Sequence, residues 1–188
     1  MDIGPPAFDI RPESKTLEKR GRRMEHDEPD LPNGNSHAER LSWPQYFMGI
    51  AHMVAERSTC SRAKVGAVVV RDRNILATGY NGAPHGAPHC TEVGCLVYTS
   101  TTPDGETEEN CFRVIHAEIN AISQAAKHGT AIDGCDVYVT HSPCIHCFKA
   151  LINIGVRIIY YDRPYKLESL SYFLPHTDVQ LVHLPLGR

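Results

Sequence analysis

Residues 136–161 read DVYVTHSPCIHCFKALINIGVRIIYY, and the fold turns on how that stretch is parsed. Asp136–Thr140 is a short β-branched and aromatic run, which predicts a strand. Cys144 to about Ile154 reads as a helix, and Val156–Tyr161 as the next strand. Strand, helix and strand in close succession imply a largely parallel core sheet covered by helices.

Outward from that unit the pattern continues. A helix is predicted from about His116 to His128. Further upstream, Val65–Val70 and Ile75–Tyr80 flank Asp72-Arg73-Asn74, a hairpin signal that adds antiparallel strands to the sheet. Ser42 before Trp43-Pro44-Gln45 reads as a helix cap, and Trp43, Phe47, Ile50 and Val54 recur at helical spacing to about Ser58. Asn81–Gly105 reads mostly as loop, with Gly-Ala-Pro-His at 82–85 and again at 86–89. Weaker helical and strand signals close the chain at Leu167–Phe173 and Val179–His183. The expected fold is a mixed sheet with helices on both faces.

Bulk properties bound the function. At 188 residues the chain fits one ordinary domain, and a net charge of -3 argues against broad, charge-driven nucleic-acid binding. No apolar run approaches a membrane span and no secretory leader is read at the start, so a cytoplasmic location is expected. Seven cysteines in a reducing compartment read as free thiols or metal ligands, and eleven histidines reinforce the metal reading. Residues 1–40 hold few apolar side chains among many charges, Lys15, Lys19, Arg20, Arg22 and Arg23 included. They are expected to form a flexible N-terminal extension, with the folded domain at 41–188.

His116-Ala117-Glu118 opens one predicted helix and Pro143-Cys144-Ile145-His146-Cys147 the next. Residues three apart share a helix face, so Cys144 and Cys147 aim two sulfurs at one point, and the helix N-terminus favours thiolate. Two thiolates and the His116 imidazole give zinc three ligands, leaving its fourth tetrahedral position for water. Glu118 lies too close in sequence to chelate the same ion and is placed instead to move protons. Cys-x-x-Cys alone would also suit a redox pair or half of a structural zinc site. Neither gives Glu118 a task. His-x-Glu followed by Pro-Cys-x-x-Cys matches the established signature of zinc-dependent nucleobase deaminases.

The stretch from about Leu41 to Tyr165 resembles deoxycytidylate (dCMP) deaminases of the bacterial and phage type, late-competence members included. The likeness rests on Ser42–Met48, Arg57–Arg62, Gly79-Tyr80-Asn81-Gly82, Gly94-Cys95-Leu96, His116–Ile122 and Tyr138–Cys144. His-Ala-Glu and Pro-Cys-x-x-Cys are superfamily-wide, whereas Gly-Tyr-Asn-Gly and the lead helix narrow the match to the dCMP branch. The resemblance implies a three-layer α/β/α fold with a mixed central sheet of about five strands. It also implies hydrolysis of dCMP to dUMP and ammonia, with Glu118 protonating N3 and the Ala117 backbone holding the exocyclic amine. Such enzymes are commonly homo-hexamers, activated by dCTP with Mg2+ and inhibited by dTTP.

Arg62 and Lys64 are candidate phosphate donors, with solvated charge as the plain alternative. Tyr165 falls where the family places a nucleotide-contacting tyrosine, and Asn81 offers an amide for substrate or effector, or simply forms a turn. Cys60, Cys90, Cys95, Cys111 and His89 are candidates for a second, structural zinc. Cysteines aligned with Cys60 and Cys90 serve one in some phage relatives, and reduced core thiols are the alternative. Rival functions are deamination of tRNA adenosine or a riboflavin precursor, and a zinc-stabilised module in DNA uptake. Neither rival enzyme explains Gly-Tyr-Asn-Gly, and an interaction module has no need of Glu118.

Overall fold

A computed structural model describes residues 40–101, 105 and 107–187; the expected extension at 1–40 lies, but for Arg40, outside them. Helix α1, Trp43–Ala55, starts as its sequence dictates. The Ser42 hydroxyl accepts from the Gln45 backbone N–H while the Gln45 side chain accepts from the Ser42 N–H, and Pro44 sits in the first turn. Strands β1 (Gly66–Arg71) and β2 (Asn74–Tyr80) follow, joined through Asp72 and Arg73 at φ of 52° and 62°. Two positive φ values in a two-residue connection match the right-handed twist of a hairpin.

The segment read as loop holds more order than its composition suggests. Cys90–Val93 forms one turn of helix, α2, and β3 (Val97–Thr101) pairs antiparallel with β4 (Thr107–Cys111) as a separate two-stranded sheet. Helix α3 (Ala117–Lys127), β5 (Asp136–His141), α4 (Ile145–Asn153), β6 (Ile158–Arg163), two 3-10 turns at Leu167–Leu170 and Leu174–His176, and β7 (Gln180–His183) complete the chain. β6 begins two residues later than its apolar run. Val156 is used to close α4: its N–H bonds to Leu151 O while the Gly155 N–H bonds to Ile152 O, with Gly155 at φ 81°. The same left-handed stop ends α3 at Gly129.

The main sheet runs β2-β1-β5-β6-β7, five strands, mixed. β1 is antiparallel to both neighbours, while β5, β6 and β7 are parallel. One face carries α1 through Phe47, Met48 and Ala51 against Val68, Val70 and Tyr138. The other carries α3 and α4 through Ala117, Ala121, Phe148 and Leu151 against Ala67, Val69, Val137, Val139 and Ile159. The result is the expected three-layer α/β/α arrangement. Each large apolar side chain fully buried in such a layer contributes about 1.5–3 kcal/mol. Among the described residues no helix is long and apolar enough to cross a membrane.

Candidate metal centre and its cavity

Strand β5 delivers its carboxyl end into Ser142-Pro143-Cys144, and Cys144 is the N-cap of α4. His116 is the N-cap of α3. The first turns of both helices therefore open toward one place, beyond the ends of parallel strands, where open α/β sheets bind ligands.

The ligand atoms converge there. His116 Nδ1 lies 3.5 Å from Cys144 Sγ and 3.4 Å from Cys147 Sγ, and all three atoms fall within 4.8 Å of one another. A tetrahedral zinc with ordinary Zn–S and Zn–N bonds would separate such a pair by about 3.6 Å, so the donor set fits that ion. No fourth His, Cys, Asp or Glu joins this group among the described residues.

Protons are unevenly held at the centre. The hydrogen bond from Cys147, then that from His116, bring Cys144 down to about 3, while the bond to Cys144 and burial push Cys147 far up. His116 is raised by Cys144 against its own burial. Glu118 is buried, and burial first of all raises its carboxyl above the usual range. A carboxyl held ready to carry a proton beside three soft donors suits acid–base chemistry.

Gly79-Tyr80-Asn81-Gly82 anchors this centre. A Cβ on Gly79 would sit 2.2 Å from Ala117 O, so its absence lets β2 meet the first turn of α3. Tyr80 O accepts from Asn120 Nδ2 at 2.8 Å, and Gly82 bridges Ile115, the residue before His116, through bonds of 3.2 and 2.8 Å. Asn81 is buried. Its Oδ1 accepts from Val65 N and the Ser58 hydroxyl, and its Nδ2 donates to Ala63 O, which fixes the loop carrying Arg62.

A cavity of about 340 Å³ opens over the centre, lined among others by Arg62, Asn81, His116, Ala117, Glu118, Cys144 and Tyr165. That is within the usual range for a small-molecule site. Lys64 is not on its wall; it pairs with Glu56 at 2.6 Å, and both are largely exposed. Among the second-zinc candidates, Cys90, Cys95 and Cys111 are brought together, with Cys90 and Cys111 sulfurs 4.0 Å apart. Cys60 lies on the cavity wall instead, and His89 caps α2 without joining the sulfurs.

Among the cavity residues that received no role from the sequence are His141 and Ser142. His141 lines the wall, and the buried Ser142 clasps the opposite loop: its hydroxyl accepts from Tyr165 N at 2.6 Å and donates to Tyr165 O at 2.9 Å. Their signal was position, since both stand at the carboxyl end of a central strand.

Residues 41–162 match the cytidine and deoxycytidylate deaminase zinc-binding region family. The chain is 48% identical over 133 residues to ComE operon protein 2 of Bacillus subtilis, covering 71% of this chain and 66% of that one. It is 36% identical over 153 residues to deoxycytidylate deaminase of Schizosaccharomyces pombe, covering 81% and 46%. The chain thus spans between about half and two thirds of these two curated relatives. Among solved structures it resembles the dCMP deaminase of cyanophage S-TIM5 in complex with dCMP and dUMP, with TM-score 0.60, 35% identity, and 74% and 95% of the two chains covered.

Proposed function

The chain belongs to the cytidine and deoxycytidylate deaminase family, and from that premise we propose that it hydrolyses dCMP to dUMP and ammonia. One observation carries the reading: His116, Cys144 and Cys147 converge on a single point with the buried Glu118 carboxyl beside them. The substrate follows from the likeness to a dCMP deaminase that holds dCMP and dUMP.

His116, Cys144 and Cys147 would hold the zinc ion. A bound zinc supplies the Lewis acidity that makes water nucleophilic near neutral pH. Glu118 takes a proton from the attacking water and gives it to ring N3 as the C4–O bond forms. It then carries the second proton to the exocyclic nitrogen, and the C4–N bond breaks to release ammonia. The Ala117 backbone, at the first turn of α3, would hold the exocyclic amine. Arg62 would face the phosphate and Tyr165 the nucleotide, while Asn81, held on three sides, keeps one amide N–H for the ligand. Lys64 would add long-range positive charge only.

A second, structural zinc would sit among Cys90, Cys95 and Cys111. Burial pushes Cys90 up to about 11. Cys111 is held below the ordinary thiol range, against its burial, by the Arg113 and Leu96 backbone N–H groups. A sulfur held by two amides favours thiolate and hence metal. The product dUMP would supply thymidylate synthesis, with the enzyme a cytoplasmic homo-hexamer activated by dCTP with Mg2+ and inhibited by dTTP. The Gly-Tyr-Asn-Gly likeness supports that extension.

The test is a coupled ammonia assay across cytidine, CMP, dCMP and dCTP, with and without the two effectors, and metal content measured on the same sample. Turnover should be greatest with dCMP, with two zinc ions per chain. Glu118→Ala should keep both ions and lose at least about 10²–10⁴ of the rate. Undiminished turnover in that variant would remove the mechanism; one ion per chain would remove the second site alone.

A further inference from the structure

His141 ends β5 on the cavity wall, partly buried, and the chemistry proposed above leaves it without a task. Strand alternation decides where it faces. Tyr138 packs in the α1 layer, whereas Val137 and Val139 pack toward α3 and α4. His141 continues the Val137–Val139 side, which is the side of the metal centre.

Its neighbour decides where its proton sits. Thr140 is buried, and its hydroxyl oxygen already accepts from the Gly66 backbone N–H at 3.2 Å. The hydroxyl hydrogen still needs an acceptor, because a buried donor left unmade is costly. Among the described residues the acceptor within reach is His141 Nδ1, at 3.2 Å. Nδ1 therefore accepts. The neutral ring must then carry its hydrogen on Nε2, an assignment that follows from the bonding pattern. Burial, with Arg163 adding to it, holds the imidazole below its ordinary range, so the neutral form prevails at pH 7. Nε2 has no protein partner among the described residues, and the ring that carries this free donor lines the cavity.

We infer that His141 donates its Nε2 hydrogen to an oxygen of the bound nucleotide and so helps to set which ligand the cavity accepts. This rests on the proposed deaminase reading. The acceptor is either the ring carbonyl or a phosphate oxygen, and substrates with and without phosphate separate the two.

The experiment compares the unaltered chain with His141→Phe and His141→Gln, using dCMP and deoxycytidine as substrates. His141→Phe keeps the planar volume and removes the donor. It should raise KM about tenfold with kcat within about threefold and zinc content unchanged, the pattern of lost ground-state and transition-state binding alike. His141→Gln, which restores an N–H, should recover most of the loss. A rise for dCMP alone assigns the phosphate; a rise for both substrates assigns the ring carbonyl. An unchanged KM in His141→Phe, or equal damage in both variants, overturns the inference. Should His141→Phe fail to fold, imidazole nitrogen NMR of the unaltered chain decides. Added dUMP should shift the Nε2 resonance while Nδ1 stays an acceptor, and a stationary Nε2 overturns it. No turnover of dCMP by the unaltered chain would instead sink the proposed substrate and take this inference with it.

Discussion

At the scale of single residues, the metal centre is decided by protons as much as by geometry. Without metal, Cys147 keeps its proton and His116 is held above its ordinary range by Cys144, so an incoming ion must displace hydrogen from the centre. The sign follows: lowering the pH fills His116 first and weakens binding, and raising it frees the ligands. Zinc affinity measured by chelator competition should therefore rise steadily from pH 5.5 to 8, and a flat profile would contradict this ligand set. Cys147→Ser should lower affinity by more than about 100-fold. His146→Ala should not, because that side chain, one residue away, is exposed and outside the converging group. These ligands were legible in the sequence because Cys144 and Cys147 are one helical turn apart, and local periodicity alone aims their sulfurs. Ser142 was not. Its partners are the backbone atoms of Tyr165, brought to it by the parallel pairing of β5 with β6.

At the scale of elements, two glycines set how closely helices approach the sheet. A Cβ at Gly66 would meet Ala51 O at 2.1 Å in α1, and one at Gly79 would meet Ala117 O at 2.2 Å in α3. Both are backbone contacts that no rotamer change relieves, so Gly66→Ala and Gly79→Ala should each cost about 3 kcal/mol. Their functional effects should differ. α3 carries His116 and Glu118 at its start, so Gly79→Ala should lower zinc content and activity even at temperatures where the chain stays folded. Gly66→Ala pushes on α1 and should leave zinc content intact. Denaturant titration and metal analysis on the two variants separate these outcomes; equal zinc loss in both would contradict it. The elements themselves were legible where caps and periodicity agreed, as with Ser42 and Gln45. The β3–β4 hairpin was hidden because residues at 97–101 and 107–111 are mostly exposed or half-exposed on both faces, so no apolar alternation marks it.

For the whole molecule, the two faces of one sheet divide stability from chemistry. The α1 face holds Phe47, Met48 and Tyr138 and none of the converging metal ligands, whereas the α3 and α4 face holds the core behind them. Phe148 follows Cys147 directly and is fully buried in the core on that face. This division was only partly readable in advance. Strand order predicts helices on both faces, but which face a helix takes depends on the antiparallel placement of β1 between β2 and β5. Met48→Ala and Phe148→Ala each empty a fully buried position and should cost about 2–5 kcal/mol. Measured well below their melting temperatures, they should part company. Met48→Ala should keep KM and zinc affinity, since the cavity it leaves lies across the sheet. Phe148→Ala removes the packing that fixes the first turn of α4, so the Cys147 sulfur loses its position and zinc affinity should fall with stability. Equal zinc affinity in the two variants would mean that the sheet does not insulate one face from the other, and that the metal centre is held by its loops rather than by the core beneath them.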